Sequence, residues 1–130
     1  MKDFIVTMAA SASGMEAQST RLRVLAENIA NADTPGYRRK TITFESVHDA
    51  AYDQSKVSAT KIGLDRTDLP KIHDPSHPLA DPAGYYDGSN VNVLIEIADA
   101  REAQRSYEAN LKVFEQARKM NGSLLELLRR

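Results

Sequence analysis

The sequence has no cysteine among its 130 residues, which excludes disulfides, thiol nucleophiles and cysteine metal sites together. This suits an exported protein without establishing export. Excess charge of one sign is also missing, since 17 basic residues stand against 18 acidic ones with the signs interspersed. No field strong enough to hold nucleic acid or an acidic lipid surface results, so proteins are the expected partners. Glycine-rich phosphate loops and nucleophile motifs are absent, so no enzyme activity, small-molecule substrate or cofactor is expected. No stretch approaches the roughly 18 consecutive apolar residues of a membrane span, so the chain is not expected to cross a bilayer by itself.

Lys2, the apolar run Phe4 to Ala10 and Ser11-Ala12-Ser13 loosely imitate a secretory signal peptide. Asp3 spoils the basic leader, and a helical period continues straight through the run, so the segment is expected to be retained. That period places Met1, Met8, Met15, Leu22 and Ile29 at a spacing of seven, with Phe4 and Leu25 at the intermediate heptad position. Ser13-Gly14 lowers helix propensity within the pattern, so a partner helix must bury the methionine stripe.

The first helix is expected to stop at Asn31-Ala32-Asp33-Thr34-Pro35-Gly36-Tyr37. Pro35 lacks an amide proton and pushes Thr34 out of helical geometry. Pro35-Gly36 fits the central pair of a type II turn, whose second position needs positive φ. Arg38, Arg39 and Lys40 read as a solvated patch, or as cations on the last carbonyls of the preceding helix.

From Thr41 to about Asn90 the pattern is irregular. Thr41-Ile42-Thr43-Phe44 alternates like a short strand, and four prolines from Pro70 to Pro82 exclude a long helix. Short strands and loops are expected, with Asp87-Gly88 turning a small hairpin between Tyr85-Tyr86 and Val91-Asn92-Val93.

Beyond Val93 there is no proline, and Val93, Ile97, Ala100, Ala103, Tyr107, Leu111, Phe114, Ala117, Leu124 and Leu128 recur at three, four or seven residues. A second helix of about 35 residues is predicted, weakened near its end by Asn121-Gly122-Ser123. Its other face offers Glu108 to Lys112, Glu115 to Lys119 and Glu126 to Arg130, the favourable i,i+4 orientation. The fold class is therefore mainly α: long N- and C-terminal helices (1–34 and 91–130) in an antiparallel coiled-coil-like pair, with a small irregular or β insert (35–90). Two amphipathic helices on so short a chain leave apolar surface for subunit contacts. The candidate assembly residues are Met8, Met15, Leu22, Leu25, Ile29, Ala100, Tyr107, Asn110, Leu111, Phe114 and Leu124. Asn110 reads either as a register-fixing amide or as an exposed one.

Residues Ser13 to Tyr37 closely resemble the N-terminal signature of flagellar rod and hook proteins, and Ala30, Asn31, Thr34, Pro35, Gly36 and Tyr37 match its Ala-Asn-x-x-Thr-Pro-Gly-Tyr core. The short length, the Asp74-Pro75-Ser76-His77-Pro78-Leu79-Ala80-Asp81 segment followed by Gly84-Tyr85, and Arg105-Ser106-Tyr107-Glu108-Ala109-Asn110 are similar to proximal-rod proteins of the FlgC type. The resemblance implies a structural subunit exported uncleaved by the flagellar type III apparatus into the periplasmic rod. Other rod proteins, copies of itself, the rod-base adaptor and the export apparatus would be its partners. The terminal helices would form the inner layer of the rod and the middle segment the outer one.

Two other readings are open to the residues alone. His73, Asp74 and His77 could suggest zinc, but they lie in a proline-rich loop rather than at i and i+4 of one helix, so no metal is expected. The heptads equally permit a soluble coiled-coil adaptor.

Overall fold

The computed structural model describes residues 1–51 and 53–130. Helix α1 spans Lys2–Ala30, and α2 spans Val93–Leu128 without a break at Asn121-Gly122-Ser123. At 1.5 Å per residue, the 36 residues of α2 extend about 54 Å. Asn92 caps its start, the side-chain Oδ1 accepting from the amides of Leu94 and Ile95.

The middle segment is more ordered than its sequence pattern suggests. Strands β1 (Lys40–Asp49) and β2 (Gln54–Leu64) form a long antiparallel hairpin. Its register shifts at Thr43/Phe44, a bulge that bends the ladder. Strands β3 (Lys71–His73) and β4 (Tyr85–Asp87) form a second, smaller sheet. Tyr85-Tyr86 therefore pairs backwards with Ile72 and His73, and not forwards across Asp87-Gly88 as the turn signal implied. The Gly88 amide instead donates to the Pro70 carbonyl at 2.8 Å. Non-local pairing has overridden a local turn preference.

Helix α1 is the centre of the molecule, with α2 on one side and the hairpin on another. The helices are antiparallel: Asn28 meets Glu96 at one end, Gly14 meets Asn110 midway, and Phe4 shares a groove with Leu124 and Leu127 at the other. This register runs a heptad seam through Phe4, Ser11, Gln18 and Leu25, alternating with Gly14, Arg21 and Asn28. On α2 it uses Glu96, Ala103, Asn110, Ala117 and Leu124, alternating with Ala100, Tyr107, Phe114 and Asn121. The methionine stripe lies one position away, and Met8, Met15, Leu22 and Ile29 are only half-buried. The reason is steric: Gly14 admits Asn110 so closely that an added Cβ would lie 2.8 Å from Nδ2, whereas methionines in the seam would hold the helices apart.

Buried apolar residues are Ala17, Val24, Leu25, Ala103 and Ala117. Small side chains allow close helix approach but bury little area. Within the same seam Gln18 Oε1 and Asn121 Oδ1 are buried without a hydrogen-bond partner, which subtracts from its stability. Total accessible surface is 9045 Å², against about 6800 Å² for a compact monomer of this mass.

A polar clasp at the junction of the helices

The turn after α1 is built as its sequence predicts. The Tyr37 amide donates to the Thr34 carbonyl at 3.2 Å, and Gly36 has φ of 74°, so the Pro35-Gly36 pair takes the type II arrangement. Asn31 Nδ2 donates to the Glu27 carbonyl at 2.8 Å, and Thr34 Oγ1 donates to Asn31 Oδ1 at 3.1 Å. Asn31 thereby satisfies a carbonyl at the open helix end, and Thr34 holds the Asn31 side-chain amide in place. Ala30, Thr34 and Gly36 are exposed, while Asn31, Pro35 and Tyr37 are half-buried.

The turn directs Tyr37 back onto Asn28, which is fully buried. Tyr37 Oη and the Lys40 amide both donate to Asn28 Oδ1 at 2.9 Å. Asn28 Nδ2 donates to the Lys40 carbonyl at 2.9 Å and to Glu96 Oε2 at 3.2 Å. Every donor and acceptor of that amide is used. The Glu96 carboxylate is also fully buried, and its second oxygen receives the Arg39 guanidinium. Arg39 reaches Asp99 at 3.5 Å as well, and Arg21 on α1 bridges to Asp99 and Glu102 at 3.9 and 3.6 Å.

Further contacts brace this junction. Lys40 Nζ lies 2.6 Å from Glu27; that bond and charge hold the Glu27 carboxyl below its ordinary value and raise Lys40 above its own. Burial raises the Tyr37 hydroxyl. Asn90 Oδ1 accepts the Arg39 amide at 2.6 Å, while its Nδ2 holds the carbonyls of Asp65 and Thr67. The end of α1, the start of β1 and the start of α2 are thus one hydrogen-bonded unit.

Sequence reasoning found the turn but missed the clasp. Arg39 and Lys40 are ion-paired parts of it, not a solvated patch. Only Arg38 points to carbonyls, and they belong to Asp65 and Thr67 rather than to α1. Glu96 was hidden inside an apolar stripe drawn through Val93 and Ile97, which are 38% and 39% exposed. A signal did exist: Glu96, Ala103, Asn110, Ala117 and Leu124 recur every seven residues.

The candidate assembly residues fall into two sets. Leu25 is buried and Ala100, Tyr107, Asn110, Phe114 and Leu124 are half-buried along the seam. Met8, Met15, Leu22 and Ile29 flank it, and Leu111 is 37% exposed beside it. Asn110 holds the Ser106 carbonyl at 2.9 Å while packing over Gly14. Among the described residues, none of the three i,i+4 pairs expected on α2 closes; Arg21 and Arg39 use its acids near the clasp instead. His73 packs edge-on to Tyr85 at 4.7 Å, and His77 stacks on Tyr86 at 3.9 Å. Among the described residues, no group of three potential metal ligands occurs and no helix is long and apolar enough to cross a membrane.

Two family models match the two ends of the chain. Residues 8–38 match the flagella basal body rod protein model, and residues 83–127 match the flagellar basal body rod FlgEFG protein C-terminal model. The flagellar basal-body rod protein FlgC of Agrobacterium fabrum is 52% identical over 124 residues, covering 90% of this chain and 89% of that protein. FlgC of Aquifex aeolicus is 37% identical, covering 88% and 89% respectively. FlgC of Salmonella typhimurium is 35% identical, covering 83% and 85%. The clasp and its turn thus lie in a chain that belongs to the FlgC-type family of flagellar basal-body rod proteins.

Proposed function

We propose that this chain is a non-enzymatic structural subunit of the proximal rod, assembling helically with other rod proteins and with copies of itself. The observation that carries the reading is the uncovered apolar ribbon along a helix pair whose own core is mostly alanine. In an antiparallel pair, the position following each inner seam residue falls on the same side of both helices. That side carries Met8, Met15, Leu22 and Ile29 from α1 and Ile97, Leu111 and Leu125 from α2. The hairpin covers the opposite side, over Ala17 and Val24. A heterologous contact on such a ribbon builds an open helical stack when its rotation does not close a ring.

In this reading residues 1–34 and 91–130 are the axial helices and 35–90 the outer segment. Export through the flagellar type III apparatus and a periplasmic position above the rod base follow from the family role. The heptads alone would also fit a soluble coiled-coil adaptor, but the rod-protein matches at both ends do not favour it.

Electron microscopy of basal bodies tests this, comparing a strain lacking the gene with the same strain carrying an intact copy. Rings without a rod, restored by the intact copy, are expected. Complete, rotating flagella without the gene would overturn the assignment.

A further inference from the structure

The hairpin presents a surface of different chemistry. One side of it packs on α1, where the Val57 amide donates to Ser13 Oγ at 3.3 Å. Elsewhere it forms an open trough of about 720 Å³, lined by Arg38, Thr41, Thr43, Lys61, Gly63 and Arg66. Thr43 is paired with Lys61 and Thr41 with Gly63 across the ladder, so these four share one face.

Three cations meet here and no carboxylate lines the trough. The cations that form ion pairs among the described residues include Arg21, Arg23, Arg39, Lys40, Lys56 and Lys71, but not Arg38, Lys61 or Arg66. Arg38 is held in place by the carbonyls of Asp65 and Thr67 at 3.5 and 3.1 Å. The nearby Asp65 carboxylate accepts from Thr67, through its amide at 2.9 Å and its hydroxyl at 2.6 Å. Gly63 removes a side chain from the floor, where a Cβ would stand 3.2 Å from Thr41 Oγ1. Glycine inside a strand is suited to close approach by another backbone.

The hairpin is also a two-stranded sheet, with no third strand beside it among the described residues. It exposes Ile62 at 48% and Leu64 at 57%, and Leu64 lines the trough itself. Two-stranded ladders are marginal without a covering partner. From this face we propose that the trough docks an extended acidic segment of a partner protein. Its carboxylates would sit against Arg38, Lys61 and Arg66, and an apolar side chain would rest on Leu64. Nucleic acid fits less well, because no aromatic ring lines the trough to stack a base. A small anion would find neither an enclosed site nor a helix N-terminus.

The test is a titration of the full chain with a fluorescent peptide of alternating Glu and Val. Saturable binding that weakens with salt is expected. It should fall about tenfold in Lys61→Glu/Arg66→Glu, fall less in the neutral Lys61→Gln/Arg66→Gln, and stay unchanged in Arg118→Glu/Lys119→Glu on α2. Far-UV circular dichroism checks each variant, and the neutral pair retains the test if the reversed pair misfolds. The proposal fails if the peptide does not saturate, if the α2 variant weakens it equally, or if oligothymidylate or inorganic phosphate binds the trough more tightly. Rod formation is not its readout, so its failure is distinct from failure of the family role.

Discussion

The Asn110 amide sits directly over Gly14, leaving no room for even one carbon on the facing helix. Overpacking there should cost more than helix propensity returns. Gly14→Val is expected to lower stability by about 2 kcal/mol, and adding Asn110→Ala should recover at least half of the loss. Urea unfolding of the two single variants and the double variant measures this coupling. Additive losses would mean that the two residues do not meet.

Asn28 and Glu96 are buried polar groups that depend on each other. Asn28→Leu strands the Lys40 amide and one Glu96 contact, and about 3 kcal/mol of destabilisation is expected. Glu96→Ala leaves Arg39 facing the seam without its buried partner and should cost about 3 to 5 kcal/mol. Tyr37→Phe removes one bond while the Lys40 amide still serves Asn28 Oδ1, so about 1 kcal/mol is expected. Thermal unfolding should rank the three variants with Tyr37→Phe mildest.

The clasp also sets pH limits. Glu27 is held below 4.5 by Lys40, so its contribution is complete above pH 4.5 and is lost as pH falls through the lowered value. Lys40 is raised above 10.5 and Tyr37 above 10.0. Their contributions are complete below those values and are lost as pH rises through the raised ones. Lys40→Met should flatten the acid side of the stability profile, as followed by melting temperature from neutral pH downwards. An unchanged acid limb would remove Glu27–Lys40 from the account.

Gly36 has open space around it but a φ of 74°, so the effect of substitution there is purely conformational. Gly36→Val should cost about 1 to 2 kcal/mol and loosen the approach of Tyr37 to Asn28. Nuclear magnetic resonance of the Asn28 side-chain amide would report that loosening, and an unaltered resonance would show that the turn tolerates a β-branched residue.

Leu22 and Leu111 flank the seam without filling it. Leu22→Asp and Leu111→Asp should leave the monomer's circular dichroism nearly unchanged while preventing rod incorporation, because a charge would enter the subunit contact. Phe114→Asp, inside the seam, should damage both. Normal motility of the two flank variants would place the contact elsewhere.

The two long helices and the turn between α1 and β1 were legible because each rests on local chemistry: a 3.5-residue apolar period, a proline and a positive-φ glycine. The hairpin was not. Val47, Val57, Ile62 and Leu64 remain exposed on its strands, so it lacks the strict in-out alternation that marks a half-buried sheet. On α1 the seam was read one position off because hydrophobicity favours methionine, whereas close packing favours Gly14; on α2 the stripe through Ala103, Phe114 and Ala117 was read where it lies. The Asn28–Glu96 pair went unread because burial of a polar pair depends on a partner 68 positions away.

That distance has a consequence for the order of events in folding. The bond from Asn28 to Glu96 closes a loop containing the whole middle of the chain, and local contacts cannot substitute for it. A chain delivered from its N-terminus presents α1 first, with its seam unmatched until Glu96 arrives. Of the contacts along the helix pair, the Asn28–Glu96 bond is the nearest in sequence, so it is the first that geometry allows to form, ahead of Gly14 with Asn110 and Phe4 with Leu124.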